Sequence, residues 1–229
     1  MKKILDIISM IPLFSGLRGD QLQQIQHIAV ERRLAKGERI FSEGDAAEGF
    51  FVVVEGLVKI YKLSSEGKEQ ILHLFGPGEP FGEVPVFSGL AFPANADGLI
   101  SGRLLYFPKS AFVELITTNP SLALNMLGVM SLRLRQFTVQ IESLSLKEVP
   151  GRLAAYLIFL AGDQKKKHKV ELTIPKGQLA SLLGTIPETL SRIFAKMAAQ
   201  GLISVEGRTI KILDPEGLNL LAEQGKMTE

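Results

Sequence analysis

The sequence predicts an α+β protein: an N-terminal antiparallel β jelly roll, one long helix, and a C-terminal block of short helices closed by a β-hairpin. Three observations predict it. Between residues 31 and 108, short apolar runs are punctuated by Gly37, Gly44, Gly56, Gly67, Gly78, Gly89 and Gly98, the pattern of short strands joined by tight turns. From Pro120 to Leu146 no further proline occurs and Gly128 is the only glycine, as a long helix requires. After Val149-Pro150-Gly151 the pattern becomes helix, turn, helix, hairpin. These changes divide the chain into 1–118, 119–148 and 149–229.

Composition bounds the chemistry. A chain of 229 residues, 46% hydrophobic, can bury a core and is not a disordered protein. With no cysteine it has no disulfide, no thiol nucleophile and no thiolate ligation of zinc or of an iron–sulfur cluster. The apolar run from Phe50 ends at Glu55 and Gly56, short of the roughly 18 residues a membrane span needs. The N-terminal stretch MKKILDIISMIPLFSG is interrupted by Asp6 and lacks a small-residue cleavage site, so a short amphipathic helix and a cytoplasmic protein without membrane contact are expected. There is no P-loop, nucleophile elbow or histidine-rich metal spacing, and an enzyme is not expected.

The elements follow in order. Leu22, Ile25 and Ile28 give a short helix near 20–30. GFFVVVEG, LVKIYKL, EQILHLF and GRLLYF are short, largely apolar runs of strand length. In the long helix Leu127, Met130, Leu134, Phe137, Ile141 and Leu144 are spaced 3-4-3-4-3, a seam that predicts pairing with a second copy into a homodimer. Packing of that helix on its own barrel is the alternative. Arg133, Arg135, Gln136, Gln140 and Glu142 are left for its surface. A helix over 152–161, a lysine-rich turn over 165–169, a strand over 170–174, helices over 176–183 and 187–200, and two strands around Glu206-Gly207 complete a winged helix-turn-helix.

Leu179, Ala180, Leu182 and Leu183 give the first helix of that motif an apolar face, and Gly184 ends it. Pro187 suits the first turn of the next helix. Leu190, Ile193, Phe194 and Met197 form its buried stripe, leaving Glu188, Thr189, Ser191 and Arg192 near its N-terminus to face base edges in double-stranded DNA. Arg192 has the fork for guanine, Glu188 accepts from cytosine, and Ser191 suits either partner of a pair. Lys176, Lys196, Arg208 and Lys211 are the expected phosphate contacts, while Lys165, Lys166 and Lys167 suit a solvated turn, with contact to flanking DNA backbone as the alternative. Residues 147–229 carry 12 Lys/Arg against 9 Asp/Glu, and residues 1–146 carry 14 against 15, so the overall +2 divides into a basic reader and a slightly acidic remainder.

In this order, barrel, long helix and winged helix-turn-helix resemble the CRP/FNR family of bacterial transcription regulators. Ile11–Leu17 resembles that family's opening, Gly78–Glu83 (GEPFGE) its phosphate-binding cassette, Gly151-Arg152 the start of its DNA-binding domain, and GTIPETLSRI with GLISVEGRTIKI its recognition helix and wing. The resemblance implies a homodimer on a palindromic promoter site, working with RNA polymerase under control of an effector in the barrel. Glu188, Ser191 and Arg192 match the Glu–x–x–Ser–Arg readers of FNR-like members, implying TTGA or GTGA half-sites. Cyclic-AMP binders follow the cassette with an Arg-Ser pair; Phe92-Pro93 stands there, and Phe137-Thr138 stands where they present Thr-Ser to the base. Cyclic AMP is therefore not expected, since a desolvated phosphate without its cation costs several kcal/mol. An apolar pocket of Phe81, Gly82, Glu83, Phe92, Pro93, Leu134, Phe137 and Thr138 is expected instead. The EVPVFSGLAFPANA stretch resembles the HcpR branch, which implies heme b and nitric oxide sensing, with His73 or His27 as axial ligand. A non-heme apolar effector, or a binding module without DNA activity, is the alternative.

Overall fold

Alternation decides the longest strand. In Phe50-Phe51-Val52-Val53 successive side chains point to opposite faces, and both faces are covered: Phe50 and Val52 join one core, Phe51 and Val53 another. These residues begin β3 (Gly49–Leu63) in the computed structural model, which describes residues 4–165 and 168–226. Around β3 stand β1 (Val30–Leu34), β2 (Arg39–Phe41), β4 (Glu69–Phe75), β5 (Pro80–Phe81) and β6 (Asn95–Pro108). The antiparallel order is β1-β6-β3-β4, with β2 on β6 and β5 on β3.

Three of the expected strands prove to be parts of two longer ones. GFFVVVEG and LVKIYKL form the single 15-residue β3, and GRLLYF is the end of the 14-residue β6. Bulges at the register shifts bend these strands without ending them. Gly56, at φ +92°, and Gly102 lie at that crossing, where a Cβ on Gly102 would stand 2.0 Å from the Glu55 carbonyl oxygen.

The outer face of this sheet is closed by α1 (Ile4–Ser9), a 3₁₀ turn at Pro12–Phe14, α2 (Gly19–Ile28), α4 (Lys109–Thr118) and the start of α5 (Pro120–Leu146). Ile8, Phe14 and Ile25 meet Phe50, Phe107, Phe112, Leu122 and Met126 in one core. The barrel interior is the second core, built largely from Phe41, Phe51, Phe75, Phe81 and Phe92. Between β5 and β6 lies the short α3 (Glu83–Ser88).

The chain divides into two compact units, Met1–Arg135 and Gln136–Glu229, with the division inside α5. The second unit holds α6 (Val149–Asp163), β7 (Lys169–Glu171), α7 (Lys176–Leu182), α8 (Pro187–Ala199), β8 (Ile203–Glu206), β9 (Thr209–Ile212) and α9 (Pro215–Gln224). The helix expected over 152–161 begins earlier, with Val149-Pro150-Gly151 as the first turn of α6, because a proline early in a helix gives up no intrahelical bond. Sequence patterning did not predict α9. Its signals were Asp214, whose carboxylate accepts the Gly217 N–H at 2.9 Å, and Pro215 behind it. Three strands form the second sheet, in the order β7-β9-β8. Lys166 and Lys167 of the basic turn lie outside the described residues.

Candidate nucleic-acid interface and barrel site

The turn between α7 and α8 is local chemistry. Leu183 caps α7, Gly184 takes the left-handed φ of +68°, and the Thr185 N–H returns to the Ala180 carbonyl at 2.9 Å. Ile186 is the extended N-cap of α8, and Pro187 opens the helix. Leu190, Phe194 and Met197 are buried; Ile193 is half-buried. Glu188, Ser191, Arg192 and Lys196 are exposed and Thr189 partly so. Inside α8, the Arg192 guanidinium donates to the Thr189 hydroxyl at 3.2 Å, and the Ser191 hydroxyl donates to the Pro187 carbonyl at 2.8 Å. Both bonds are weak and local, so either side chain can turn to another acceptor at small cost.

The expected phosphate contacts are spread around this face. Lys176 opens α7 with its ammonium 5.1 Å from the Phe194 ring centroid. Arg208 is exposed in the β8–β9 turn beside Gly207, at φ +64°. Lys211 is exposed but ion-paired with Glu206 at 2.5 Å. Arg152 is structural: its guanidinium donates to the Lys147 and Leu144 carbonyls at 2.8 and 3.2 Å, closing the end of α5.

Along α5, Leu127, Leu134 and Ile141 are more than 60% exposed and Leu144 is 37% exposed; Met130 and Phe137 are half-buried. Leu124, Leu132, Val139 and Leu146 add exposed apolar surface beyond the expected seam.

Arg133, left to the surface by the sequence pattern, is the α5 residue that meets the cassette. It forms an ion pair with Glu83, which is 2% exposed, and donates to the Pro80 carbonyl at 2.6 Å. Its guanidinium also lies 4.8 Å from the Phe75 ring centroid. Burial pushes the Glu83 carboxyl up and Arg133 pulls it back. Spacing could have found this: Leu122, Met126, Val129 and Arg133 recur at 4-3-4, a barrel-facing stripe one residue off the seam. Leu134, the next residue, accordingly faces out.

The other pocket residues divide. Phe81, Gly82, Glu83 and Phe92 come together. Gly82 adopts φ +77°, and a Cβ there would lie 3.1 Å from Phe92 and 3.4 Å from Phe41. Phe41 and Phe92 stack with centroids 3.7 Å apart. Pro93 is exposed, with its carbonyl taking the Lys62 ammonium at 3.0 Å, and does not line the interior. Phe137 and Thr138 belong to the second unit. Of the expected apolar pocket residues, Phe81 and Phe92 belong to the packed aromatic core of the first unit.

A porphyrin held by His73 would need a planar slot against its imidazole. That ring instead meets Phe75 edge-on at 4.5 Å, and Phe75 is covered by Phe81 at 5.5 Å and by Arg133. Burial lowers the His73 pKa to about 4, with Arg133 assisting. His27 is exposed on α2 beside a cleft of about 400 Å³ whose walls mix Ile28 and Leu115 with Gln24, Glu114 and Thr118. Neither arrangement fits a heme, which needs a dry apolar slot. Among the described residues no helix is long and apolar enough to cross a membrane.

Comparisons with known proteins agree with this geometry. The Cyclic nucleotide-binding domain family matches residues 31–119, and the Crp-like helix-turn-helix domain matches 151–221. The chain is 32% identical to Electron transport regulator A of Shewanella oneidensis, covering 92% of this chain and 86% of that protein. It is 26% identical to the CRP-like cAMP-activated global transcriptional regulator of Mycobacterium tuberculosis, over 93% and 97% of the two chains. FixK2 from Bradyrhizobium japonicum shares the fold at a TM-score of 0.75 and 24% identity, covering 88% of this chain and all of that one. A cyclic-nucleotide-binding fold, a long helix and a Crp-like helix-turn-helix, in that order and over nearly the whole chain, make it a DNA-binding transcription regulator rather than an enzyme, and a member of the CRP/FNR family.

Proposed function

We propose that the protein acts in the cytoplasm as a homodimer on a palindromic promoter site and works with RNA polymerase. The single observation behind this reading is α8, whose polar N-terminal residues Glu188, Ser191 and Arg192 are exposed while Leu190, Phe194 and Met197 are buried. A recognition helix needs that distribution to enter the major groove. Arg192 reads guanine in a TTGA or GTGA half-site, Glu188, Thr189 and Ser191 complete the base contacts, and Lys176, Lys196, Arg208 and Lys211 meet phosphates. The exposed seam of α5 supports the dimer, because two copies pairing there would cover Leu127, Leu134 and Ile141. Arg192→Ala should cost about 1–3 kcal/mol and relax specificity at one base pair, read by titrating duplexes substituted at each half-site position. Unchanged specificity would remove α8 from the groove.

The effector reading follows from the cassette. Cyclic AMP is disfavoured because Phe92-Pro93 stands where the resemblance calls for an Arg-Ser pair, and a desolvated phosphate without its cation is costly. Heme-linked nitric oxide sensing rests on the resemblance of the 83–96 stretch alone, and the surroundings of His73 do not support it. A small apolar effector that parts the Glu83–Arg133 pair would change how α5 is held, and a useful shift needs a few kcal/mol of differential affinity. Titration with hemin should give no stoichiometric Soret band, and calorimetry with cyclic AMP no heat of binding at micromolar ligand.

A further inference from the structure

We propose a second small-molecule site on the barrel, in the cleft between β1, β2 and the 42–48 loop, that takes an organic ammonium ion with an apolar body. The cleft has a volume of about 470 Å³ and is lined by the rings of Phe41, Phe51, Phe92 and Tyr106. Those rings are continuous: centroids lie 3.7 Å apart for Phe41–Phe92, 6.2 Å for Phe41–Phe51 and 5.1 Å for Phe51–Tyr106. Tyr106 lies directly over Gly49, where a Cβ would stand 2.5 Å from its ring and hydroxyl, so a side chain at that position would displace the ring.

Charge supplies the other half. Asp45 and Glu48 stand at the cleft with exposed carboxylates. Glu31 and Arg32 also border it, but Glu31 is paired with Arg103 at 2.9 Å and Arg32 with Glu38 at 2.8 Å. Asp45 accepts the Ser42 N–H at 2.7 Å, and the nearby Arg39 is ion-paired with Asp97 rather than with Asp45. Among the described residues Glu48 pairs with no cation, and its charge adds to burial in raising the Tyr106 phenol pKa. Uncompensated negative charge beside aromatic faces is the chemistry that recognises an alkylammonium ion. An anion would meet two carboxylates, and a neutral compound would gain only apolar burial.

The cleft also adjoins the cassette through one layer of rings. The Phe41–Phe92 stack that lines it packs on Gly82, and Gly82 precedes Glu83, the partner of Arg133. A bound cation would therefore press on the ring pair that holds the cassette in place. This coupling rests on the DNA-binding reading; the site itself does not.

Calorimetry of the full chain without DNA tests the site. Benzyltrimethylammonium should bind saturably at one per chain, with benzyl alcohol and benzoate at least tenfold weaker. The double variant Asp45→Asn/Glu48→Gln should weaken the cation at least tenfold with an unchanged melting temperature, since both side chains are exposed. Absence of saturable binding, equal binding of all three probes, or unchanged binding by the variant overturns the site. Duplex titration with and without saturating cation tests the coupling. A change of threefold or more in duplex affinity, lost in the double variant, supports it. No change in a protein that still binds both duplex and cation overturns the coupling and leaves the site standing.

Discussion

At the scale of single residues, the barrel buries the Glu83–Arg133 ion pair. Two charges leave water there, and their ion pair, the Arg133 contacts with the Pro80 carbonyl and the Phe75 ring, and a backbone N–H donated to Glu83 offset the loss. Arg133→Ala strands a buried carboxylate and should cost about 3–5 kcal/mol in urea unfolding, whereas Glu83→Leu/Arg133→Met should lie close to wild type. An equal loss in both would deny the pair its role. His73 makes a pH prediction. Its folded pKa of about 4 lies below its ordinary 6.5, so the unfolded chain binds the extra proton. Its contribution is intact above pH 6.5 and is lost as pH falls through that value towards 4, by up to about 3 kcal/mol. Burial raises Glu79 and Glu83, which act in the opposite direction, so the test compares wild type with His73→Gln between pH 7 and 4. A pH-independent difference would contradict it. Neither residue's setting was legible in the sequence, because each depends on strands and a helix distant along the chain.

At the scale of elements, α5 carries two stripes one residue apart, and only the a/d one was legible in the sequence because it is apolar throughout, whereas the other ends in a charged residue. The barrel-facing stripe ends in Arg133, whose partner sits 50 residues away. Disrupting the seam with Leu134→Glu should shift sedimentation from dimer to monomer while leaving far-UV helicity in place. A variant that stays dimeric would move the interface off this seam. In α6, a Cβ on Gly151 would stand 2.5 Å from the Gly225 Cα, backbone against backbone. Gly151→Ala should therefore destabilise by about 1–3 kcal/mol, read by thermal melting. Strand breaks were over-read for a related reason: glycine marks both a turn and a bulge, and only pairing partners distinguish Gly56 and Gly102 from true turns.

At the scale of the whole molecule, legibility follows the range of the interactions. The α7–α8 turn was readable because Gly184, Pro187 and the Leu190/Phe194/Met197 stripe act on neighbours within a few residues. The barrel interior was not, because Phe92 meets Phe41 only after six strands have assembled. The net charge of +2 conceals the division that matters, a basic excess after residue 146 and an acidic one before it. The central claim is sequence-specific DNA binding by α8, and salt titration of duplex affinity tests it most directly. For a palindrome of TTGA or GTGA half-sites, log affinity should fall linearly with log salt with a slope of several units, and a scrambled duplex should bind about 10³-fold or more weakly at physiological salt. Equal affinity for both duplexes, or binding insensitive to salt, would contradict it.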